Sequence, residues 1–366
     1  MSLITAVATA NPDNRFSQSD IAAFMLKMMR LENGESARLR TIFRASGIEY
    51  RHSVISDYGR TSKFLFYPED LSSSFPTTRD RLEVFREHAL PLSVKACEKL
   101  FNDSNHISRS EITHLIVVCC TGMYAPGLDI GLVKALGLSA AVDRTAINFM
   151  GCYAAFNALK IADAFCRADP DAKVLIVCTE LCSIHFQREG TEDNLLSNAL
   201  FGDGSAAVIV EAKTKGKLQL HIEGFHNELS ATGLTEMAWT IGDLGFEMKL
   251  SSYVPEIIRK GIVGLASSLM KKISRELTEV KHFVIHPGGK KILEVIEAEL
   301  NIPKEKNRAA YEVLRKYGNM SSPTILFVLA EQIRRFTADD KDQSILSFAF
   351  GPGLTMESMV LRINSV

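Results

Sequence analysis

Short apolar runs alternate along nearly the whole chain with longer segments whose apolar positions recur at helical spacing. The N-terminus, from Met1 to about Val7, reads as a first strand. Residues 82–100 predict a helix, kinked or broken near Pro91, whose ring removes a donor from a helix interior. A strand at 112–119, a short helix at 130–136, a buried strand at 145–149 and an Ala-rich helix at 154–167 follow. Strands are expected at 174–179 and 206–212. Beyond them come helices at 251–274, 290–300 and 323–336, with strands at 282–285 and 344–350. Such alternation predicts an α/β class protein of layered helices and largely buried strands. The loosest stretches are 72–78 and 212–216. The second reads as a seam between two pseudo-equivalent α/β halves, 1–213 and 214–366, or equally as a hairpin turn.

A chain of 366 residues is long enough to bury a substantial core. Charged residues make up 23% and the formal net charge is −1, which points away from nucleic acid or a polybasic membrane partner. The N-terminus lacks a basic segment followed by a long apolar one, and no apolar run approaches the ~18 residues of a membrane span. Seven cysteines, odd in number and scattered, predict reduced thiols in a cytoplasmic protein. The adjacent pair Cys119-Cys120 has no further Cys or His at zinc-ligand spacing, so no metal is expected.

Candidate chemistry centres on Cys152, which follows Gly151 between a strand end and a helix start. The positive end of the helix field there favours thiolate over thiol. His286 in Ile285-His286-Pro287-Gly288-Gly289 and Asn319 in Tyr317-Gly318-Asn319-Met320-Ser321-Ser322 also stand beside glycine turns. Singly, each has a bland reading. Cys97, Cys166 and Cys178 read as small buried hydrophobes, a lone His286 as a satisfied core histidine, and Asn319 as a helix N-cap. Together they offer a nucleophile, a base and an amide donor. Papain-like peptidases and enzymes that form carbon–carbon bonds on thioesters both use Cys, His and Asn in this order. A long α/β segment ahead of Cys152, with no secretion signal, favours the second.

The remaining motifs carry a resemblance over essentially the whole chain. Leu200-Phe201-Gly202-Asp203-Gly204-Ser205-Ala206-Ala207, the His286 and Asn319 blocks, and Phe350-Gly351-Pro352-Gly353-Leu354-Thr355-Met356-Glu357 resemble the type III polyketide synthases, the chalcone synthase-like superfamily with the thiolase fold. The resemblance implies that Cys152 holds the starter and the growing chain as a thioester. It implies that His286 keeps Cys152 ionised, and that His286 and Asn319 bind the malonyl thioester carbonyl while loss of carbon dioxide generates an enolate. Phe201 and Phe246 match gatekeeper aromatics at the coenzyme A tunnel, and Gly351, Pro352 and Gly353 match a turn shaping the cavity wall. Arg38, Arg44 and Gly288 are candidates for coenzyme A binding. Cys120, Cys182 and His185 stand where plant enzymes carry threonines, Ser197 where they carry a glycine, and Ala125 where they carry a methionine reaching across a dimer interface. Ser321 keeps the family residue.

This pocket is not that of a chalcone synthase and resembles bacterial members. With Met237-Ala238-Trp239, which is similar to a segment of alkylpyrone and alkylresorcinol synthases, it favours a fatty acyl starter. Trp239 has a second reading as a core anchor. The resemblance thus implies a homodimer that takes malonyl-CoA and an acyl-CoA starter, needs no cofactor, and closes a pyrone or resorcinol ring. The alternatives are a synthase using malonyl-CoA alone to make tetrahydroxynaphthalene or phloroglucinol, and a single-condensation enzyme like ketoacyl synthase III.

Overall fold

The computed structural model describes every residue except Met1, Asn33 and Leu71. Its strands, in chain order, are β1 (Leu3–Ala10), β2 (Arg15–Ser17), β3 (Tyr50–His52), β4 (His114–Cys119), β5 (Asp143–Asn148), β6 (Lys173–Leu181), β7 (Asp203–Glu211), β8 (Gln219–Leu229), β9 (Met237–Gly242), β10 (Gly245–Leu250), β11 (Val280–Ile285), β12 (Ser344–Gly351) and β13 (Thr355–Ser365). Nine of them form one sheet in the order β11-β12-β13-β8-β1-β7-β6-β4-β5. β1 and β8 meet antiparallel at its middle, through Leu3–His221 and Ile4–Leu220. From β1 outward, β7 and then β6 pair antiparallel, and β4 and then β5 pair parallel. From β8 outward, β13 and β12 pair antiparallel and β11 pairs parallel. The same pairing pattern thus runs in both directions from the centre.

The stretch after β7 is not a hairpin turn, because β1 lies between β7 and β8. The run at 145–149 is a strand but not a buried one. β5 pairs only with β4 at the sheet edge, and Asp143, Arg144, Ala146 and Asn148 are exposed. Its apolar side chains therefore meet neighbours on one side only. The helix at Pro91 is unbroken from Thr78 to Asp103. Pro91 lies on the exposed face, where water can satisfy the carbonyl that loses its partner.

Helices cover the sheet, and two large apolar clusters form the core. Helix Ala154–Ala168 packs on β4, β6 and β7. Helix Thr324–Ile333 is apolar almost all round and correspondingly buried nearly throughout, against β1 and β11. All seven cysteines are free and buried.

Candidate active site

Cys152, His286 and Asn319 converge on one cavity from distant parts of the chain. After β5 the backbone turns through Phe149 and Gly151 to place Cys152 just before helix Ala154–Ala168. β11 ends at Ile285, immediately ahead of His286. Asn319 follows helix Arg308–Tyr317 and pairs backbone to backbone with Phe201. The Gly202 N–H donates to the Asn319 carbonyl, and the Asn319 N–H to the Leu200 carbonyl, both at 2.9 Å. Two glycines make these approaches possible. A Cβ on Gly151 (φ 81°) would lie 2.2 Å from Pro352 Cδ, and one on Gly318 (φ 68°) 2.6 Å from the Leu200 carbonyl.

Asn319 does not cap the following helix, which begins at Thr324 after Pro323. Its Oδ1 accepts from the Ser321 N–H at 2.8 Å and from Thr324 Oγ1 at 3.4 Å. That fixes the amide so that Nδ2 is the end left to donate, 3.9 Å from Cys152 Sγ. Both ring nitrogens of the buried His286 lack a partner among the described residues. A buried imidazole without partners is uncommon in a finished core and suits a group that a ligand completes.

Burial pushes the Cys152 thiol up to about 11, although hydrogen bonds from Ser321 and Asn319 oppose the rise. Burial also pushes His286 down to about 3. Desolvation thus works against the helix field at Cys152.

The cavity holds about 930 Å³ of space outside the atoms, its open mouth included. Phe201 and Phe246 line it, as do Cys120, Cys182, His185, Ser197 and Ser321. Pro352 and Gly288 belong to its wall. Gly351 and Gly353 flank Pro352. A Cβ on Gly351 would meet the Tyr153 ring at 2.6 Å, and Gly353 packs beside Leu229 and Leu234. Ala125 is exposed at the surface. Trp239 is both lining and anchor, since its Nε1–H donates to the Cys120 carbonyl at 2.7 Å. Arg38 and Arg44 do not line the cavity. Helix Glu35–Ala45 turns Leu39 and Phe43 inward and so carries its arginines outward. Arg38 pairs with Glu192 at 3.1 Å, and Arg44 borders a separate groove with Arg40.

The sequence reading missed several polar residues around the site. Glu180, fully buried, accepts hydrogen bonds from the Cys120 N–H and Thr121 Oγ1 at 2.8 Å and from Ser322 Oγ at 2.6 Å. It ties the turn after β4 to the segment that carries Asn319. Burial raises its pKa against those bonds. Arg51 Nη1 donates to the Phe201 carbonyl at 2.5 Å, and Asp203 accepts from Val54 and Ser183 behind it. A carboxylate directly after the apolar run 174–179, with Leu181 and Cys182 following it, was a usable signal for Glu180. Nothing comparable marked Arg51. Among the described residues no group of His, Cys, Asp or Glu could hold a metal.

This fold is the mixed α/β, thiolase-like fold of type III polyketide synthases. The structure superposes on PKS-I from the brown alga Ectocarpus siliculosus with a TM-score of 0.92, at 32% identity over 99% of this chain and 98% of that one. The C-terminal type III domain of Steely1, a type I/III hybrid from Dictyostelium, gives 0.90 at 27% identity, covering 99% of each chain. The chain belongs to the chalcone and stilbene synthase family: its N-terminal domain profile matches residues 1–214 and its C-terminal domain profile residues 227–365. "Alpha-pyrone synthesis polyketide synthase-like Pks18" of Mycobacterium tuberculosis is 30% identical over 99% of this chain and 91% of its own length. "Probable polyketide synthase 1" of Dictyostelium discoideum is 28% identical over 99% of this chain, which spans 11% of that protein. The protein is a type III polyketide synthase, an acyltransferase acting on coenzyme A thioesters.

Proposed function

We propose that the protein extends a fatty acyl starter with malonyl-CoA and closes the product as an alkylpyrone or alkylresorcinol. The observation that carries this reading is the single cavity lined by Cys152, His286, Asn319, Phe201 and Phe246. His286 takes the Cys152 proton, sulfur attacks the acyl-CoA carbonyl, and the proton passes to the coenzyme A thiolate that leaves. The malonyl thioester then enters between Phe201 and Phe246. Loss of carbon dioxide converts it to an enolate, whose oxygen is held by a His286 N–H and Asn319 Nδ2. The enolate carbon attacks the Cys152 thioester and the Cys152 thiolate departs; the lengthened chain, now a coenzyme A thioester, passes back to Cys152 with release of coenzyme A for another round.

An alkyl starter is supported by Met25, Met237, Met248, Leu250 and Ile292 in the wall, and by small side chains at Cys120, Cys182 and Ser197. The mycobacterial relative is named for α-pyrone synthesis. We also propose that the chain divides near residue 213 into two pseudo-equivalent halves, in keeping with the repeated strand pairing. A homodimer is proposed in turn, since exposed Leu229 and Leu234 flank the Gly353 turn beside the site. Sedimentation at micromolar concentration tests that assembly. No helix of the described residues is long and apolar enough to cross a membrane. Free, buried cysteines suit the reducing cytoplasm proposed as its location.

The function is tested by mass spectrometry of products from carbon-labelled malonyl-CoA, supplied alone and with acetyl-, aryl- and long-chain acyl-CoA. Products whose mass follows the alkyl chain are expected. An aromatic product from malonyl-CoA alone would replace the starter assignment.

A further inference from the structure

His185 closes the short turn Cys182–His185 after β6, is 5% exposed, and has both ring nitrogens committed. The Phe246 backbone N–H donates to Nδ1 at 3.0 Å, so Nδ1 is the bare nitrogen. Nε2 therefore carries the proton and donates it to the Thr121 carbonyl at 2.7 Å. The imidazole also stacks on the Phe246 ring, with centroids 4.2 Å apart and planes 8° from parallel. Trp239 stands edge-on to both rings, at 5.6 Å from His185 and 5.8 Å from Phe246. Burial holds the imidazole in the neutral form that this pattern needs, with its pKa pushed down to about 3.

We propose that His185 is a positioning residue that fixes the Phe246 ring against the Cys120–Thr121 turn, and so sets the width of the passage by which coenzyme A thioesters reach Cys152. This rests on the reading of Phe246 as a gate on that passage. The β9–β10 hairpin itself does not hang on His185. Gln187 Nε2 donates to the Leu244 and Phe246 carbonyls at 3.1 and 3.2 Å. Thr78 bonds to Gly242 and Gly245, and Asp193 accepts from the Leu250 N–H at 3.1 Å. What His185 alone adds is a partner for the Phe246 N–H and a flat face for its ring. The ring of Phe149 reaches Phe246 only at a tilt, 5.3 Å away.

The test uses the full-length enzyme carrying para-fluorophenylalanine at position 246, with His185→Ala and His185→Gln variants. Glutamine can offer one donor and one acceptor, as the neutral imidazole does. The fluorine NMR line is expected to be narrow in the parent, broadened in His185→Ala and narrow again in His185→Gln. The KM for malonyl-CoA should rise several-fold in His185→Ala, because the passage to Cys152 is no longer held at one width. Products should shift to fewer extensions, and His185→Gln should restore both properties. If His185→Ala does not fold, His185→Phe, which keeps a stacking face and loses both hydrogen bonds, should show the same rise in KM. A line that stays narrow in His185→Ala overturns the proposal. So does a broadened line with parental KM and product lengths. A broadened line in an enzyme whose parent condenses no malonyl-CoA would instead sink the gate reading of Phe246 and leave the hold on its ring intact.

Discussion

Replacing Gly151 with alanine tests whether the turn around Pro352 sets the position of Cys152. The added methyl would meet Pro352 Cδ at 2.2 Å and Cγ at 2.9 Å, where 3.4 Å begins ordinary contact. A φ of 81° also places the residue in the left-handed region, which costs a non-glycine residue about 1–2 kcal/mol. Overpacking of a tight wall adds about 1–3 kcal/mol. The total, about 2–5 kcal/mol, is a large share of the ~5–15 kcal/mol that holds a typical protein folded. The melting midpoint should fall by several degrees. Relief has to come from movement of the Cys152 turn or the Pro352 turn, so the rate of Cys152 acylation should fall as well. Intact-mass spectrometry after mixing with an acyl-CoA reads that rate directly. Pro352→Ala removes Cγ and Cδ but leaves the Gly151 backbone angle alone. The double variant should therefore recover the packing part, about 1–3 kcal/mol, and not the backbone part. A Gly151→Ala enzyme with the parental midpoint and acylation rate would refute the reasoning. So would a double variant whose loss equals the sum of the single losses.

Cys152→Ala should take up no acyl group. Asn319→Ala should load normally but lose about 10²–10³ in malonyl-CoA decarboxylation, the usual worth of one oxyanion donor, measured as labelled carbon dioxide. Equal failure of loading in Asn319→Ala would contradict the separation of roles. Trp239→Phe leaves the Cys120 carbonyl without its donor and should lower stability by about 1–3 kcal/mol in urea melts. A parental urea midpoint would show that the bond contributes nothing. Burial raises the pKa of Asp203 from 3.8 to about 6, so its protonated form is the one the fold favours. Stability from this group is full below about 4 and is lost as pH rises through 6. Relative to Asp203→Asn, the parent should therefore weaken between pH 4.5 and 7, and a gap that does not change with pH in denaturant titrations would contradict this.

Local pattern determined most of the elements. The helix Lys290–Leu300 begins and ends where its periodicity says, because one apolar stripe faces a core and its flanks carry turn residues. Cys152, His286 and Asn319 stood out in the sequence because glycines lie near them, at 151, 288 and 318, and the fold brings all three to one cavity. Tertiary structure decided what depends on neighbours remote in sequence. The apolar run at β5 looked like a core strand, and only sheet order put it at an exposed edge. Arg38 and Arg44 lie on the outward face of their helix, a direction set by what Leu39 and Phe43 pack against. Arg51 reaches the Phe201 carbonyl across a separation in sequence that no local motif could report. The effect of burial on Cys152 and His286 was likewise not a sequence property. Residue type and helix position favour a thiolate, but the water-poor cavity that raises one pKa and lowers the other exists only once distant segments close around it.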